Sequence, residues 1–192
     1  AKWYRKAAEQ GMAEAQFNLG ASYYYGTGVP KDYTQAANWY REAAEQGQAG
    51  AQYNLGLIYE YGKGVPINYS KAAKWYRKSA EQGLADAQHN LGNFYENGKG
   101  VTKDYTEAAK WYRKAAERGQ ASSQHNLGNF YLNGKGVTKD YTQAANWYRK
   151  AAERGLAESQ NDLGLMYATG KGVAEDDVLA YMWLNLASAK GI

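Results

Sequence analysis

The sequence predicts an all-α chain built from repeated helix-turn-helix units, and three observations lead there. Tryptophans recur at a fixed interval of 36 residues, at Trp3, Trp39, Trp75, Trp111, Trp147 and Trp183. Each interval holds two segments whose apolar and small residues follow helical 3-4 spacing. A Gly-x-Gly-Val loop separates them every time. An uninterrupted period between about 20 and 50 residues marks a stacked array, in which each unit buries its apolar face only against its neighbours.

Composition agrees with a packed core. Of 192 residues, 44% are hydrophobic and 15% aromatic, which excludes global disorder. There are no cysteines, so disulfides and thiolate metal sites are excluded. No segment approaches the roughly 18 apolar residues of a membrane span, so no membrane insertion is expected. The net charge is +4, and its meaning depends on where the cations lie.

Residues 1–10 read as a partial second helix of a truncated upstream repeat, because Ala1-Lys2-Trp3-Tyr4-Arg5-Lys6 matches Ala109-Lys110-Trp111-Tyr112-Arg113-Lys114. The array follows over residues 11–192, with repeats at 11–46, 47–82, 83–118, 119–154 and 155–190. The third and fourth agree at 30 of 36 positions.

In the first repeat the first helix is expected from Ala13 to Tyr25. Gln16, Leu19, Gly20 and Tyr23 recur at i, i+3, i+4, i+7 and define one face. Gly20, Gly56, Gly92, Gly128 and Gly164 fall in mid-helix, where glycine costs about 1 kcal/mol against alanine. That repeated cost predicts a bulky neighbour, and the recurring tryptophan is the expected one. The first loop glycine suits the left-handed residue that ends a helix, and the loop valine is expected to plug onto the core. Asp32, Asn68, Asp104, Asp140 and Asp176 occupy an N-cap slot. Gln35, Glu107 and Gln143 follow at capping-box spacing. The second helix carries Ala36, Ala37, Trp39, Tyr40, Ala43 and Ala44, small enough for close helix approach, with the tryptophan assigned to the core.

The run from Ala13 to Gly47, AEAQFNLGASYYYGTGVPKDYTQAANWYREAAEQG, resembles the Sel1-like repeat family, relatives of the tetratricopeptide class. The resemblance extends over essentially the whole chain. It implies a right-handed α/α superhelical solenoid of five 36-residue repeats plus the leading partial helix, first helices lining the concave side. It implies a non-catalytic scaffold or adaptor with a protein or peptide partner, and points to the bacterial periplasm or a secreted location. The family branch with one disulfide per repeat is not matched.

Slots that differ among repeats are candidates for ligand contact, because stacking residues are shared. On the first helix these are residues 17, 21, 24 and 25 and their equivalents, one face opposite the shared stripe. The candidate binding residues are Phe17, Tyr24, Tyr25, Tyr53, Leu57, Tyr61, His89, Asn93, Asn97, His125, Asn129 and Asn133. The early repeats offer aromatic rings for apolar side chains or sugars. The middle repeats offer imidazole and amide groups for an extended backbone or hydroxyls. An extended peptide in a groove is the leading expectation. A glycan or peptidoglycan fragment, a structural spacer in an envelope assembly and ordinary solvated residues are the alternatives. Asn18, Asn54, Asn90 and Asn126 either hold a ligand or stabilise the stack.

Sharper chemistry is disfavoured. The variable slots hold no lysine or arginine but include Glu60 and Glu96, so nucleic acid is not expected on that face. His89 and His125 lack the companions of a tetrahedral metal site. The Gly-x-Gly loop follows a helix rather than a strand, and no nucleophile context is recognisable. No cofactor, metal or enzymatic activity is expected. In the last repeat Leu179, Met182 and Leu186 replace Gln35, Asn38 and Glu42 of the first. This apolar stripe predicts a further helix beyond Ile192, or a partner or self-association contact.

Overall fold

The structure is a computed structural model that describes residues 2–192, with side chains from Tyr4 onward. Trp3 therefore lies outside the described side chains. Among the described residues the chain is helical throughout, with no strand. It divides into two compact units, Ala1–Lys103 and Asp104–Ile192.

The first unit holds α1 (Lys2–Glu9), α2 (Ala13–Tyr25), α3 (Tyr33–Glu45), α4 (Ala49–Tyr61), α5 (Tyr69–Glu81) and α6 (Ala85–Asn97). The second holds α7 (Tyr105–Glu117), α8 (Ala121–Asn133), α9 (Tyr141–Glu153), α10 (Ala157–Ala168) and α11 (Asp177–Ser188). Within each unit every helix packs on the next in chain order. This is the predicted helix-turn-helix pattern, with α2 at the expected bounds.

The caps explain the boundaries. Gly26, Gly62, Gly98 and Gly134 adopt left-handed φ values of 67° to 78° and end α2, α4, α6 and α8. Asp32 Oδ1 accepts from the N–H groups of Thr34 and Gln35 at 2.9 and 3.0 Å and starts α3. The reciprocal half of the capping box is not formed. The Asp32 N–H donates to the Tyr23 carbonyl at 3.0 Å, as Asn68 does to Tyr59 and Asp140 to Tyr131. These N-caps thus tie α3, α5 and α9 to the helices before them.

The core alternates small and large. Ala36, Ala37, Ala43 and Ala44 are buried beside Leu19, Leu55 and Ile58, and Tyr40, Tyr76, Tyr112 and Tyr148 are the largest fully buried side chains. Burying such a ring stabilises by about 1.5–3 kcal/mol. These tyrosines, and not the tryptophans, fill the mid-helix glycine slots. A Cβ on Gly20, Gly56 or Gly128 would lie 2.8, 2.6 or 2.6 Å from the ring of Tyr40, Tyr76 or Tyr148. At Gly164 the neighbour is Leu184.

The tryptophan assignment is corrected accordingly. Trp39, Trp75, Trp147 and Trp183 are half-buried, and Trp111 alone among the described tryptophans is buried. Lysines one turn on cover their faces, with Lys78 over Trp75 at 4.6 Å, Lys114 over Trp111 at 4.3 Å and Lys150 over Trp147 at 4.1 Å. One helical step of about 100° separates residues 39 and 40, and it is the tyrosine that points inward.

Candidate functional site

The variable face of the first helices is wired into the stack more deeply than variation suggests. The slot of Phe17 lies half-buried against the buried tyrosine of the same repeat. Phe17 packs on Tyr40 at 5.8 Å, Tyr53 on Tyr76 at 5.8 Å and His125 on Tyr148 at 5.5 Å.

The slots of Ala21 and Tyr24 serve the hydroxyl at the end of that tyrosine. A buried phenol needs an acceptor, and the repeats supply different ones. Tyr76 donates to the Glu60 carboxylate at 2.6 Å, and Glu60 also pairs with Lys99 at 3.7 Å. Tyr148 donates to Asn129 Oδ1 at 2.7 Å. Asn54 beside the Tyr40 phenol, and Asn90 beside those of Tyr53 and Tyr76, draw those phenols down against the upward push of burial. Both asparagines are half-buried. Burial pushes the phenols of Tyr40, Tyr76 and Tyr148 upward.

His125 is similarly engaged. Asn129 Nδ2 lies 2.9 Å from its Nε2, so the ring accepts there and carries its proton on Nδ1. Nδ1 then meets Ser159 Oγ at 2.9 Å, in the following repeat, with Asp162 at 3.8 Å. Ser159 is fully buried, so this trio braces one repeat on the next. Burial pushes the His125 imidazole down, while Asp162 and Glu158 pull it back up. His89 meets Asn93 Nδ2 through Nε2 at 3.1 Å, and burial lowers its pKa too.

The slot of Tyr25 is different. Tyr25 and Tyr61 are 73% and 61% exposed, and Asn97 and Asn133 are exposed at the same position. Asn97 and Asn133 donate to Asn93 and Asn129 carbonyls at 2.8 and 2.9 Å, closing their own helix ends. In the first unit Tyr24 meets Tyr25 edge-on at 5.0 Å and Tyr33 at 5.1 Å. Tyr24, Tyr25, Tyr40, Asn54 and Leu57 line a small recess. Among the twelve candidate residues, the structure brings Tyr24, Tyr25 and Leu57 together there.

Two features escaped the sequence reading. Arginines of the second helices reach the Tyr23-type residue of the next repeat: Arg5 to Tyr23 at 2.6 Å, Arg113 to Tyr131 and Arg149 to Tyr167 at 2.8 Å. Lysines also bracket the tyrosines that open α3 and α9, with Lys31 and Lys63 on the Tyr33 ring at 4.8 and 5.3 Å and Lys139 and Lys171 on the Tyr141 ring at 5.0 and 4.4 Å. Tyr33 and Lys63 lie 30 residues apart, so periodicity along one helix could not join them.

The Sel1 repeat family pattern matches residues 1–12, 13–48, 49–84, 85–120, 121–156 and 157–192. A crystal structure of a protective antigen present in uropathogenic Escherichia coli strains, displaying an SLR fold, is similar at 46% identity and a TM-score of 0.95. That likeness covers 99% of this chain and 41% of the antigen, so the chain spans less than half of that protein. A Sel1 repeat protein from Oxalobacter formigenes is 42% identical with a TM-score of 0.87, over 95% of this chain and 72% of that one. An uncharacterized Sel1-like repeat-containing protein of Schizosaccharomyces pombe is 54% identical over 35 residues, 18% of this chain and 5% of that protein. Repeats of this kind generally form non-catalytic protein-interaction scaffolds. With the pattern matched from end to end and the repeat geometry in agreement, the chain belongs to the Sel1 repeat family.

Proposed function

We propose that the chain binds an extended peptide or flexible protein segment on the variable face of its first helices. One observation supports this most: Tyr25 and Tyr61 keep most of their surface in solvent, although most of their neighbours on that face are committed to the stack. Large rings exposed beside an apolar recess suit side-chain capture, since contiguous exposed apolar surface marks interaction sites. Half-buried Tyr53 and His89 of the first unit then form the floor.

The test selects binders from a random peptide library displayed on phage, using the full chain as bait. The selected peptides should lose affinity for Tyr25→Ser, Tyr61→Ser and His89→Ala variants. Undiminished binding to all three would refute the reading. A second contact is proposed on α11, where Met182 and Leu186 are 40% and 43% exposed beside Leu179. Light scattering should show self-association that Met182→Glu abolishes; a monomer at all concentrations would remove it.

A further inference from the structure

We propose that Tyr24, Tyr25, Tyr33 and Tyr61, with Lys31 and Lys63, form a docking site for a polypeptide segment carrying a carboxylate beside an apolar side chain. This rests on the peptide-binding reading above and names the chemistry of its ligand.

Tyr33 opens α3. Lys31 precedes it in the chain and Lys63 comes from the loop of the next repeat, so two ammonium groups sit on one ring. Among the described residues neither lysine lies within ion-pair distance of a carboxylate. Hydrogen bonding from Lys31 draws the Tyr33 phenol below its ordinary value, which reflects the same cationic surroundings. The recess beside Tyr24 and Tyr25 is next to this pair, because Tyr24 touches both Tyr25 and Tyr33. Tyr61 stands one turn beyond the recess residue Leu57 on α4, close enough to Tyr24 to add to the upward push that burial puts on its phenol. An extended backbone places side chains two residues apart about 7 Å from each other on one side. One can enter the recess while the other reaches the lysines.

Carboxylate fits better than phosphate. Asp32 stands between Lys31 and Tyr33 in the chain and offsets part of the charge, and this cluster holds no arginine fork for bidentate phosphate contact. The second unit provides an internal contrast. Lys139 and Lys171 bracket Tyr141 at 5.0 and 4.4 Å, but the equivalents of the aromatic slots are Leu132, Asn133 and Thr169. That unit has the cations without the rings.

The experiment measures fluorescence anisotropy on the full chain with a labelled peptide of repeated Glu-Gly-Leu-Gly. Counterparts replace its Glu by Gln or its Leu by Ser, and labelled oligogalacturonate supplies carboxylates on a sugar. The Glu and Leu peptide should bind tightest. Lys31→Gln combined with Lys63→Gln should weaken it by about 3- to 10-fold, the range two exposed ion pairs supply. Lys139→Gln combined with Lys171→Gln removes the same charge and should leave affinity unchanged. Equal losses in both double variants, or equal binding of oligogalacturonate, would overturn the proposal. If the Gln peptide binds as well as the Glu peptide and Tyr61→Ser abolishes both, the acidic preference falls while the peptide-binding reading stands. If Tyr61→Ser alters neither, both fall.

Discussion

The first and second units hold the same buried tyrosine against the same glycine, yet they finish the contact with different polar chemistry. In the first, Tyr76 ends on a carboxylate, Glu60, which a lysine steadies from outside. In the second, Tyr148 ends on an amide, Asn129, backed by His125 and Ser159 in a neutral chain. A second contrast lies at the helix ends. Gln52 donates to the Ala44 carbonyl at 3.1 Å and accepts from Gln82 at 2.8 Å, so both halves of its amide are used. Gln124 donates to Ala116 at 3.0 Å, but Arg154 stands where Gln82 would, and the buried Gln124 Oε1 has no partner among the described residues, as is also the case for Gln88 at the end of the first unit. Variation between repeats is therefore no simple mark of ligand contact. Part of it records alternative solutions to one internal hydrogen-bonding problem.

The shared framework predicts the largest effect. Gly64 and Gly136 have φ of +70° and +64° and press against the first residues of α3 and α7, where no Cβ fits. Alanine at either should cost about 2–5 kcal/mol, from left-handed strain plus repacking. Urea unfolding measures it, and clearly unequal costs would break the equivalence of the two units. Next come the hydroxyls. Tyr76→Phe strips a hydrogen bond from a largely buried carboxylate and should cost about 2 kcal/mol, against about 1 kcal/mol for Tyr148→Phe beside a neutral amide. The reverse order would contradict the contrast drawn between the units.

Arg154→Gln sharpens it from the other side. It recreates the glutamine pairing of the first unit and should stabilise by about 1 kcal/mol by satisfying Gln124. Destabilisation would show that Arg154 contributes more than the pairing does. The smallest effect is on pH dependence. Folding lowers the His125 pKa below its ordinary 6.5, so the native state binds fewer protons than the unfolded state there. The associated stability is complete above that value and declines as pH falls through it. Asp162, whose carboxyl is raised by burial, acts oppositely but in the lower carboxylate range. The melting temperature should drop between about pH 7.5 and 5.5, and His125→Gln should shrink the drop; an unchanged drop would dismiss this role.

Helix limits, caps and the glycine-for-ring exchange were legible because each is a local rule repeated from one unit to the next. The identity of the ring was not. Trp39 and Tyr40 are adjacent, both aromatic and both repeated, and spacing alone does not fix how far the helix is rotated. The variable face was legible as a face, but its inward share was hidden. Whether Glu60 or Asn129 looks out or back depends on the hydroxyl of a residue 16 or 19 positions away. The lysine pair on Tyr33 was illegible for the same reason, since one member arrives from the following repeat.

The account stands most directly on two tyrosines of one helix, Tyr53 packed on Tyr76 and Tyr61 in solvent. Stability by urea unfolding and affinity for the Glu-Gly-Leu-Gly peptide should be measured together for Tyr53→Ser and Tyr61→Ser. Tyr53→Ser is predicted to lose about 2–4 kcal/mol of stability, and Tyr61→Ser to stay within about 0.5 kcal/mol of the parent while losing the peptide. A Tyr61→Ser variant that unfolds as easily as Tyr53→Ser, or that binds the peptide undiminished, would contradict the division between packing and recognition on this face.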